Sequence, residues 1–254
     1  MARSTSLFKA AVFSLTLSLE LAIASFTSPA RASTVNFNPP DRGVPEMSVG
    51  GATRGDGLCG EVEPLSPKDT TQNRDYFPYF GLTVADRPTL FFHVKGSSNY
   101  AGQPLYFELS EIDAEGEPGE VVYQTDLSLP DRRSVMSVSL PADLVLEEGK
   151  IYQWYIEMTC SPLDAGSAEM NYLEGWIDRI GETPDLSDRL EIARTPTDRA
   201  TVYAEAGIWF DAIETLARER RVEDTPELKA AWEALLGDSD VGLSDDVVDT
   251  SVLD

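Results

Sequence analysis

The sequence predicts a mainly β protein with a C-terminal α-helical part, and two patterns carry this prediction. Between residues 89 and 180, short apolar runs are separated by turn residues; the runs cover residues 89–94, 105–112, 121–129, 134–140, 151–160 and 173–180. After about residue 184, apolar residues recur at a spacing near the 3.6-residue period of an α-helix. The β part therefore precedes the α part along the chain.

Residues 1–32 have the composition of a secretory signal peptide. Arg3 and Lys9 precede an apolar run that ends near Ala-Arg-Ala at residues 30–32, a small-x-small cleavage site. Glu20 interrupts the run, and because a carboxylate in a bilayer is costly, this favours a cleaved signal over the alternative, an uncleaved anchor. No later stretch reaches the roughly 18 apolar residues of a spanning helix. We expect an exported chain without a membrane span, located in the periplasm, in the cell envelope or outside the cell.

A leader and a β domain follow the signal. Residues 33–60 are rich in Pro and Gly, which predicts an extended leader. Residues 61–184 form the predicted β domain, whose clearest strand is 151–160, where apolar and polar residues alternate so that one face lies against a core. Six or seven strands at this spacing predict an antiparallel β-sandwich resembling an immunoglobulin fold.

Residues 185–237 are predicted to form a helical hairpin packed on the sandwich. The first helix has an apolar stripe made of Val202, Ala206, Trp209, Ile213 and Leu216. Thr225 caps the second helix with Pro226 at its first position, and Gly237 ends it. Residues 238–254 are rich in Asp and contain no basic residue, which predicts a disordered acidic tail.

The composition excludes several functions. The 254 residues include 20 Lys plus Arg and 44 Asp plus Glu, a formal net charge of −24, with one His and two Cys. An acidic excess of this size opposes binding to nucleic acid or anionic lipid, since both require clustered basic residues. One His and two Cys are too few for a zinc site.

Candidate catalytic groups each have a simpler structural interpretation. His93 is the only histidine, and it lies in an aromatic strand without an assignable partner. Residues 55–60 match the glycine spacing of a dinucleotide loop, but no strand precedes them and no helix follows. Glu108 with Glu111 is a chance pair in so acidic a chain, and residues 113–117 are interpreted as a hairpin turn rather than a calcium loop. We expect no catalytic residue, cofactor site or metal ligand.

Cys59 and Cys160 are predicted to form a disulfide. The compartment of an exported protein is oxidising, and pairing leaves no free thiol. Cys59 follows a flexible Gly-rich run, whereas Cys160 ends a strand, so the bond would join the leader to the sandwich. The alternative is two unrelated thiols, one of them buried and inert.

An ordered set of motifs resembles a known family. The motifs are the Gly-rich leader 41–55 running into Cys59, Tyr-Gln-Trp at 152–154, Gly-Trp-Ile-Asp-Arg at 175–179, Tyr-Ala-Glu-Ala-Gly-Ile-Trp-Phe-Asp-Ala at 203–212, and Trp232 near the end. Over residues 41–236 the chain is similar to the cyanobacterial exported proteins grouped as domain of unknown function 928. The resemblance implies a bacterial envelope or extracellular setting and assigns no catalytic residue.

Two function classes remain open. The leading hypothesis is an exported, non-enzymatic interaction or envelope-associated protein, whose partner is an envelope protein or a polysaccharide. The alternative is a carbohydrate-active enzyme or a lectin-like glycan-binding module of the envelope. Two carboxylates facing one another in an aromatic-lined cleft would favour the enzyme. The oligomeric state does not follow from the sequence.

Overall fold

The computed structural model describes residues 35–43, 59, 61–69, 79–96, 99–160, 169–241, 243, 247 and 250. Residues 1–31 form a unit of their own, and residues 32–254 form the second. The predicted signal peptide lies outside the described residues. So do most of the leader and, apart from Cys59, the glycine-rich string at 55–60.

The described part of the second unit is mainly β, with two sheets followed by four helices. The strands are β1 (Val62–Pro64), β2 (Tyr79–Thr83), β3 (Thr89–Val94), β4 (Pro104–Ile112), β5 (Pro118–Ser128), β6 (Ser134–Ser139), β7 (Ile151–Cys160) and β8 (Glu169–Arg179). A three-stranded sheet has the order β1-β3-β6, and a five-stranded sheet has the order β2-β8-β7-β4-β5. The six predicted apolar runs correspond to β3 through β8, and β3 and β7 have the predicted bounds.

The prediction of a wholly antiparallel arrangement is wrong at one strand pair. β2 runs parallel to β8, with Tyr79 opposite Gly175 and Thr83 opposite Arg179. β2 was not predicted because its five residues are all buried and show no alternation of polar and apolar side chains. β1 was also missed, because it has only three residues and ends in a proline.

The two sheets share one apolar core. Leu105, Phe107 and Leu109 of β4 are fully buried in the same cluster as Leu90 and Phe92 of β3. The rings of Phe92 and Trp154 meet edge to face, with their centroids 5.6 Å apart. Opposite Trp154 on β8 is Gly175, where an added Cβ would lie 2.3 Å from the indole. Glycine is therefore needed there to admit the tryptophan.

Four helices are present in the described ranges where a two-helix hairpin was predicted. They are α1 (Pro184–Ile192), α2 (Pro196–Glu205), α3 (Trp209–Val222) and α4 (Pro226–Leu236). The predicted stripe over residues 202–216 is divided between α2 and α3, because Gly207 adopts a positive φ of 74° and ends the helix. An added Cβ at Gly207 would lie 2.9 Å from the carbonyl oxygen of Asn38, so the leader passes close to this break. No helix of the described residues is long and apolar enough to span a bilayer.

The caps predicted for α4 are correct. The hydroxyl of Thr225 accepts a hydrogen bond from the backbone N–H of Leu228, and Gly237 follows the last helical residue. On the buried side of α4, the guanidinium of Arg220 in α3 lies 5.1 Å from the ring centroid of Trp232. The two helices therefore contact one another through a cation–π interaction as well as apolar packing.

The prediction of a disordered acidic tail fails at the tail residues that the structure describes. Val241 and Val247 are fully buried and belong to the main core cluster. The carboxylate of Asp238 accepts hydrogen bonds from the backbone N–H groups of Phe37 and Asp240. The prediction rested on the charge of this segment and did not take its valines into account. The burial of their side chains offsets part of the entropy lost when the segment becomes ordered.

Cys59 and Cys160 lie at disulfide distance, with their Cα atoms 5.5 Å apart. We predict that replacing both by serine lowers the free energy of unfolding by about 2–5 kcal/mol, because the loop between them spans 101 positions and its closure restricts the unfolded chain. Urea denaturation measures the loss. The wild-type protein in reductant serves as the matched control and should behave like the double variant. Two alkylated thiols in unreduced, denatured wild-type protein would contradict the pairing.

Trp209 is fully buried, and its indole N–H donates to the carbonyl oxygen of Leu65 at 2.8 Å. We predict that Trp209→Ala costs about 3–5 kcal/mol of stability. Trp209→Phe should cost less, because it removes mainly the hydrogen bond and part of the indole packing. Val222→Ala, at an exposed end of the same helix, is the control and should change stability by less than about 0.5 kcal/mol. Calorimetry should show one transition; separate unfolding of the β and α parts would contradict the prediction.

Candidate functional site

The outer face of the five-stranded sheet carries tyrosines and acidic side chains. In β7, Trp154 and Ile156 point into the core, so the alternating residues Tyr155 and Glu157 point to the opposite face. The pairing of β4, β7 and β8 brings matching residues beside them. We call the resulting set the tyrosine face; it consists of Tyr106, Glu108, Tyr155, Glu157, Tyr172 and Glu174.

Two tyrosines of this face donate hydrogen bonds to carboxylates. The Tyr106 hydroxyl donates to Glu108 Oε2 at 2.6 Å, and the Tyr155 hydroxyl donates to Glu157 Oε2 at 2.6 Å. The hydrogen bond to Glu108 raises the pKa of Tyr106 to about 12, and burial together with Glu157 raises the pKa of Tyr155. Both phenols therefore stay protonated, and each holds one oxygen of its carboxylate in a fixed position.

Tyr155 and Tyr172 form a stacked pair. Their ring centroids are 5.3 Å apart with an interplanar angle of 29°, and both side chains are half-buried. Because Tyr155 is directly opposite Glu174 and Tyr172 is directly opposite Glu157, the two rings are diagonal neighbours across β7 and β8. We call this stacked pair, which carboxylates flank, the aromatic platform.

Glu174 is the most buried acid of this face, with 5% of its surface exposed. Its Oε2 accepts a hydrogen bond from Gln153 Nε2 at 3.0 Å, whereas its Oε1 has no hydrogen-bond partner among the described residues. Burial raises the pKa of this carboxyl to about 7. Glu174 is therefore a group that takes up a proton near neutral pH.

A cavity of about 150 Å³ lies at one end of the tyrosine face, and its lining includes Tyr106, Asp126, Glu157 and Met170. Tyr106 is paired with Asp126 on one side and with Glu157 on the other. Two strand spacings separate these acids, which places their backbones about 10 Å apart. The cavity thus has an aromatic ring between two carboxylates.

The other residues considered from sequence lie outside the tyrosine face. His93 is fully buried in β3, between Glu63 and Val135 in the strand register. The carboxylate of Asp113 accepts from the backbone N–H groups of Glu115 and Glu117, which makes this segment a hairpin turn, as interpreted. Within the described ranges, no group of three or more His, Cys, Asp and Glu could hold a metal ion.

Glu108 and Glu111, considered together from sequence, belong to different environments. Glu108 lies on the tyrosine face, whereas Glu111 accepts a hydrogen bond from Lys150 Nζ at 2.9 Å. Of the arginines that close α3, Arg220 pairs with Asp224 and Arg221 donates to the hydroxyl of Ser137. Both arginines lie in the last turn of α3, where basic side chains stabilise the negative end of the helix dipole.

The tyrosine face was not predicted from the sequence. The alternation in β7 indicates that Tyr155 and Glu157 share one face, and this signal was available. That Tyr106 and Tyr172 lie beside them depends on the register of three strands distant in sequence, which alternation within one strand does not determine.

We predict that Glu174→Gln stabilises the protein at alkaline pH. Because the folded-state pKa of Glu174 is raised, its contribution to stability is present below the ordinary pKa of a glutamate and is lost as the pH rises through about 7. Glutamine keeps an oxygen to accept from Gln153 and does not titrate. The difference in free energy of unfolding between the variant and wild type should therefore grow by on the order of 3 kcal/mol from pH 4.5 to pH 8.5. Thermal unfolding across this range measures the gain, with exposed Glu120→Gln as the control; parallel pH profiles would disprove the assignment.

Comparisons with known proteins identify a family without a described activity. No curated protein matches the chain. Among solved structures, the CARDB domain of a Pyrococcus furiosus protein in complex with di-metal ions is 14% identical, with coverage of 48% of this chain and 91% of that chain and a TM-score of 0.26. The solution structure of AT1g01470 from Arabidopsis thaliana is 13% identical, with coverage of 61% and 99% and a TM-score of 0.22. These low scores carry no functional information.

The family match is broader than the structural ones. The model of the domain of unknown function DUF928 matches residues 49–251, a range that includes all eight strands and four helices described above. The chain therefore belongs to the DUF928 family.

Proposed function

We propose that this protein is an exported, non-enzymatic binding protein of a cyanobacterial cell envelope, and that it binds a neutral glycan on the tyrosine face. The observation that carries the proposal is the stacked pair of Tyr155 and Tyr172 beside carboxylates that tyrosine hydroxyl groups hold in place. A sugar ring presents an apolar face of C–H groups and an edge of hydroxyl groups. The platform and the carboxylates are complementary to these two parts.

The hydrogen bonds on this face support a ligand rich in donors. Glu108 and Glu157 each have one oxygen bonded to a tyrosine hydroxyl. The second oxygen of Glu108 also accepts from the Ser110 hydroxyl at 3.3 Å and keeps one lone pair, whereas the second oxygen of Glu157 is able to accept from a ligand hydroxyl. Such charge-assisted bonds are stronger than neutral ones, and positioned carboxylates lose little entropy on binding.

The charge of the face determines which glycans fit. The tyrosine face includes three glutamates, Asp126 lies beside it, and the whole chain has a net charge of −24. Uronic-acid or sulfated polysaccharides would be repelled by this surface. A neutral polysaccharide is therefore the favoured partner.

Other features support the proposed setting and fold. The signal-peptide composition of residues 1–32 and the adjacent Cys59 and Cys160 favour an oxidising compartment outside the cytoplasm. The ring contact between Phe92 of the smaller sheet and Trp154 of the larger sheet favours an immunoglobulin-like sandwich over two separate sheets. In this arrangement, the tyrosine face is the outer surface of the larger sheet.

A carbohydrate-active enzyme is the second candidate, and one observation favours it. Asp126 and Glu157 line the same cavity, with Tyr106 between them in the register. Glycosidases use two carboxylates across a sugar ring. The same carboxylates serve a binding module equally well, so an experiment must separate binding from cleavage.

We predict that the mature chain, residues 33–254, binds neutral polysaccharides and that Tyr155→Ala or Tyr172→Ala weakens binding about ten-fold, because each removes one ring of the platform. Tyr172→Phe keeps its ring and is the matched control; it should bind within a few-fold of wild type. Tyr155→Phe keeps the ring but releases Glu157, so its loss should lie between those of Tyr172→Phe and Tyr155→Ala. A glycan array followed by affinity electrophoresis in neutral and anionic polysaccharides provides the measurement.

A hydrolysis assay on each bound glycan distinguishes the two candidates. Binding without new reducing ends supports the binding module. Cleavage by wild type that is lost in both Asp126→Asn and Glu157→Gln would show that the protein is a carbohydrate-active enzyme and not a binding module. Failure to bind any neutral glycan would exclude both functions at this face.

A further inference from the structure

A second cavity, separate from the tyrosine face, lies among the β2–β3 turn, α2 and α3. Its volume is about 180 Å³. Its lining includes Arg87 from the turn, Arg199 and Tyr203 from α2, and Asp211, Glu214 and Arg218 from α3. Three guanidinium groups from three different elements thus converge on one cavity, in a chain that has only 20 basic residues.

The two carboxylates of this cavity are bonded to neutral donors. Asp211 Oδ2 accepts from the Thr83 hydroxyl at 2.8 Å and from the backbone N–H of Val84 at 3.1 Å. Glu214 Oε2 accepts from the backbone N–H of Thr89 at 3.3 Å. Neither carboxylate takes part in an ion pair of the described residues. Burial raises the pKa of Asp211 to about 6 and also raises that of Glu214. The charge of Arg179 acts in the opposite direction on Asp211, and those of Arg218 and Arg221 do so on Glu214, but burial outweighs them.

The three arginines are likewise directed to partners other than these acids. Arg87 Nη1 donates to the carbonyl oxygen of Ala142 at 2.8 Å and has Asp86 at 3.8 Å; Arg199 Nη1 donates to the carbonyl oxygen of Leu190 at 3.5 Å. Arg218 is 62% exposed and donates to the neighbouring Glu219. Arginine keeps its charge at every physiological pH, so the cavity contains permanent positive groups.

Opposite charges therefore share this cavity without pairing to one another. A simple anion would leave the buried carboxylates without a cation in contact. A simple cation would leave Arg199 without an anion, since of the three arginines it is the one without an ion pair among the described residues. A ligand with both kinds of charge, separated by a short carbon chain, would complement both. The volume is below that of a typical drug-sized pocket, about 300–1,000 Å³, which limits the ligand to a small metabolite.

We propose that this cavity binds a free acidic amino acid, a molecule with one ammonium and two carboxylate groups. Three guanidinium groups face the ligand's two carboxylates, and Asp211 and Glu214 receive its ammonium. The charge of the lining, three positive and two negative, matches the charge of this ligand with opposite sign. The inference does not depend on the proposed glycan function, because none of the six residues belongs to the tyrosine face.

Isothermal titration calorimetry on the mature chain tests the proposal with L-glutamate and D-glutamate as probes. Glutarate, which lacks the ammonium, and 4-aminobutyrate, which lacks one carboxylate, are the matched probes. At least one glutamate enantiomer should bind, and both matched probes should bind about ten-fold more weakly or not at all.

Variants separate the two charge contributions. Arg199→Gln should weaken glutamate binding at least about ten-fold. Glu214→Gln should weaken the binding of glutamate and leave the weak binding of glutarate unchanged or improved. Arg189→Gln is the control, because Arg189 on α1 pairs with Glu205 and does not line this cavity. If Arg199→Gln fails to fold by near-ultraviolet circular dichroism, Arg218→Gln at the exposed rim replaces it.

The outcomes that would overturn the proposal are specific. Wild-type protein that binds neither enantiomer at millimolar concentration overturns it. Glutarate binding equal to that of glutamate also overturns it, because the ammonium would then contribute nothing. Equal losses in Arg189→Gln and Arg199→Gln would show that any heat comes from general charge effects rather than from this cavity.

Discussion

The first turn of α3 fixes the helices to the β part of the protein, and the rest of the structure depends on this junction. Trp209 donates from its indole to the carbonyl oxygen of Leu65, Phe210 lies on Gly81 of β2, and Asp211 accepts from Thr83 at the end of β2. Three consecutive side chains thus contact three separate points of the chain. Gly81 must be glycine for this contact, since an added Cβ there would lie 2.8 Å from the ring of Phe210.

The same junction explains why the family motif at residues 203–212 has its composition. Gly207 allows α2 to end and α3 to begin within three residues. The rings of Trp209 and of Phe37 in the leader meet edge to face, with their centroids 5.1 Å apart. Asp211 belongs both to the junction and to the arginine-lined cavity, where it accepts only from neutral donors. A substitution of Asp211 would disturb the junction as well as the cavity. Glu214 is therefore the better position at which to test ligand binding in the second cavity.

A second close contact determines the side of the large sheet on which the tyrosines lie. Gly175 admits the indole of Trp154 between β7 and β8. Every other residue of β8 has a side chain, so any shift of the β7–β8 register would bring a side chain against the ring. Because a shift of one residue would exchange the two faces of a strand, this contact keeps Tyr155 and Glu157 on the outer surface. The candidate binding face is therefore a consequence of core packing on the other side of the same strands.

The sequence predicted the elements whose signals are local and missed those that depend on distant contacts. Three of the four helices in the described ranges begin with Thr-Pro, and in each the threonine hydroxyl accepts from the backbone three residues on. This signal was recognised only at Thr225, although Thr183 and Thr195 repeat it, so α1 and the start of α2 were predictable. In contrast, the parallel pairing of β2 with β8 and the burial of Val241 depend on tertiary partners that no short pattern describes. The tyrosine face was missed for the same reason.

The acidic composition and the arginine-lined cavity are compatible because electrostatic fields are local in salt. A net charge of −24 would repel anions at long range, yet exposed charges are largely screened beyond about 8 Å at physiological ionic strength. Inside the second cavity, Arg87, Arg199 and Arg218 lie nearer to a ligand than most of the acidic surface does, and partial burial weakens screening there. The tyrosine face has no arginine among its members, and its three glutamates disfavour anions. The two proposed sites are therefore electrostatically compatible: the sheet surface opposes acidic polymers, and the arginines of the second cavity suit a small acidic ligand.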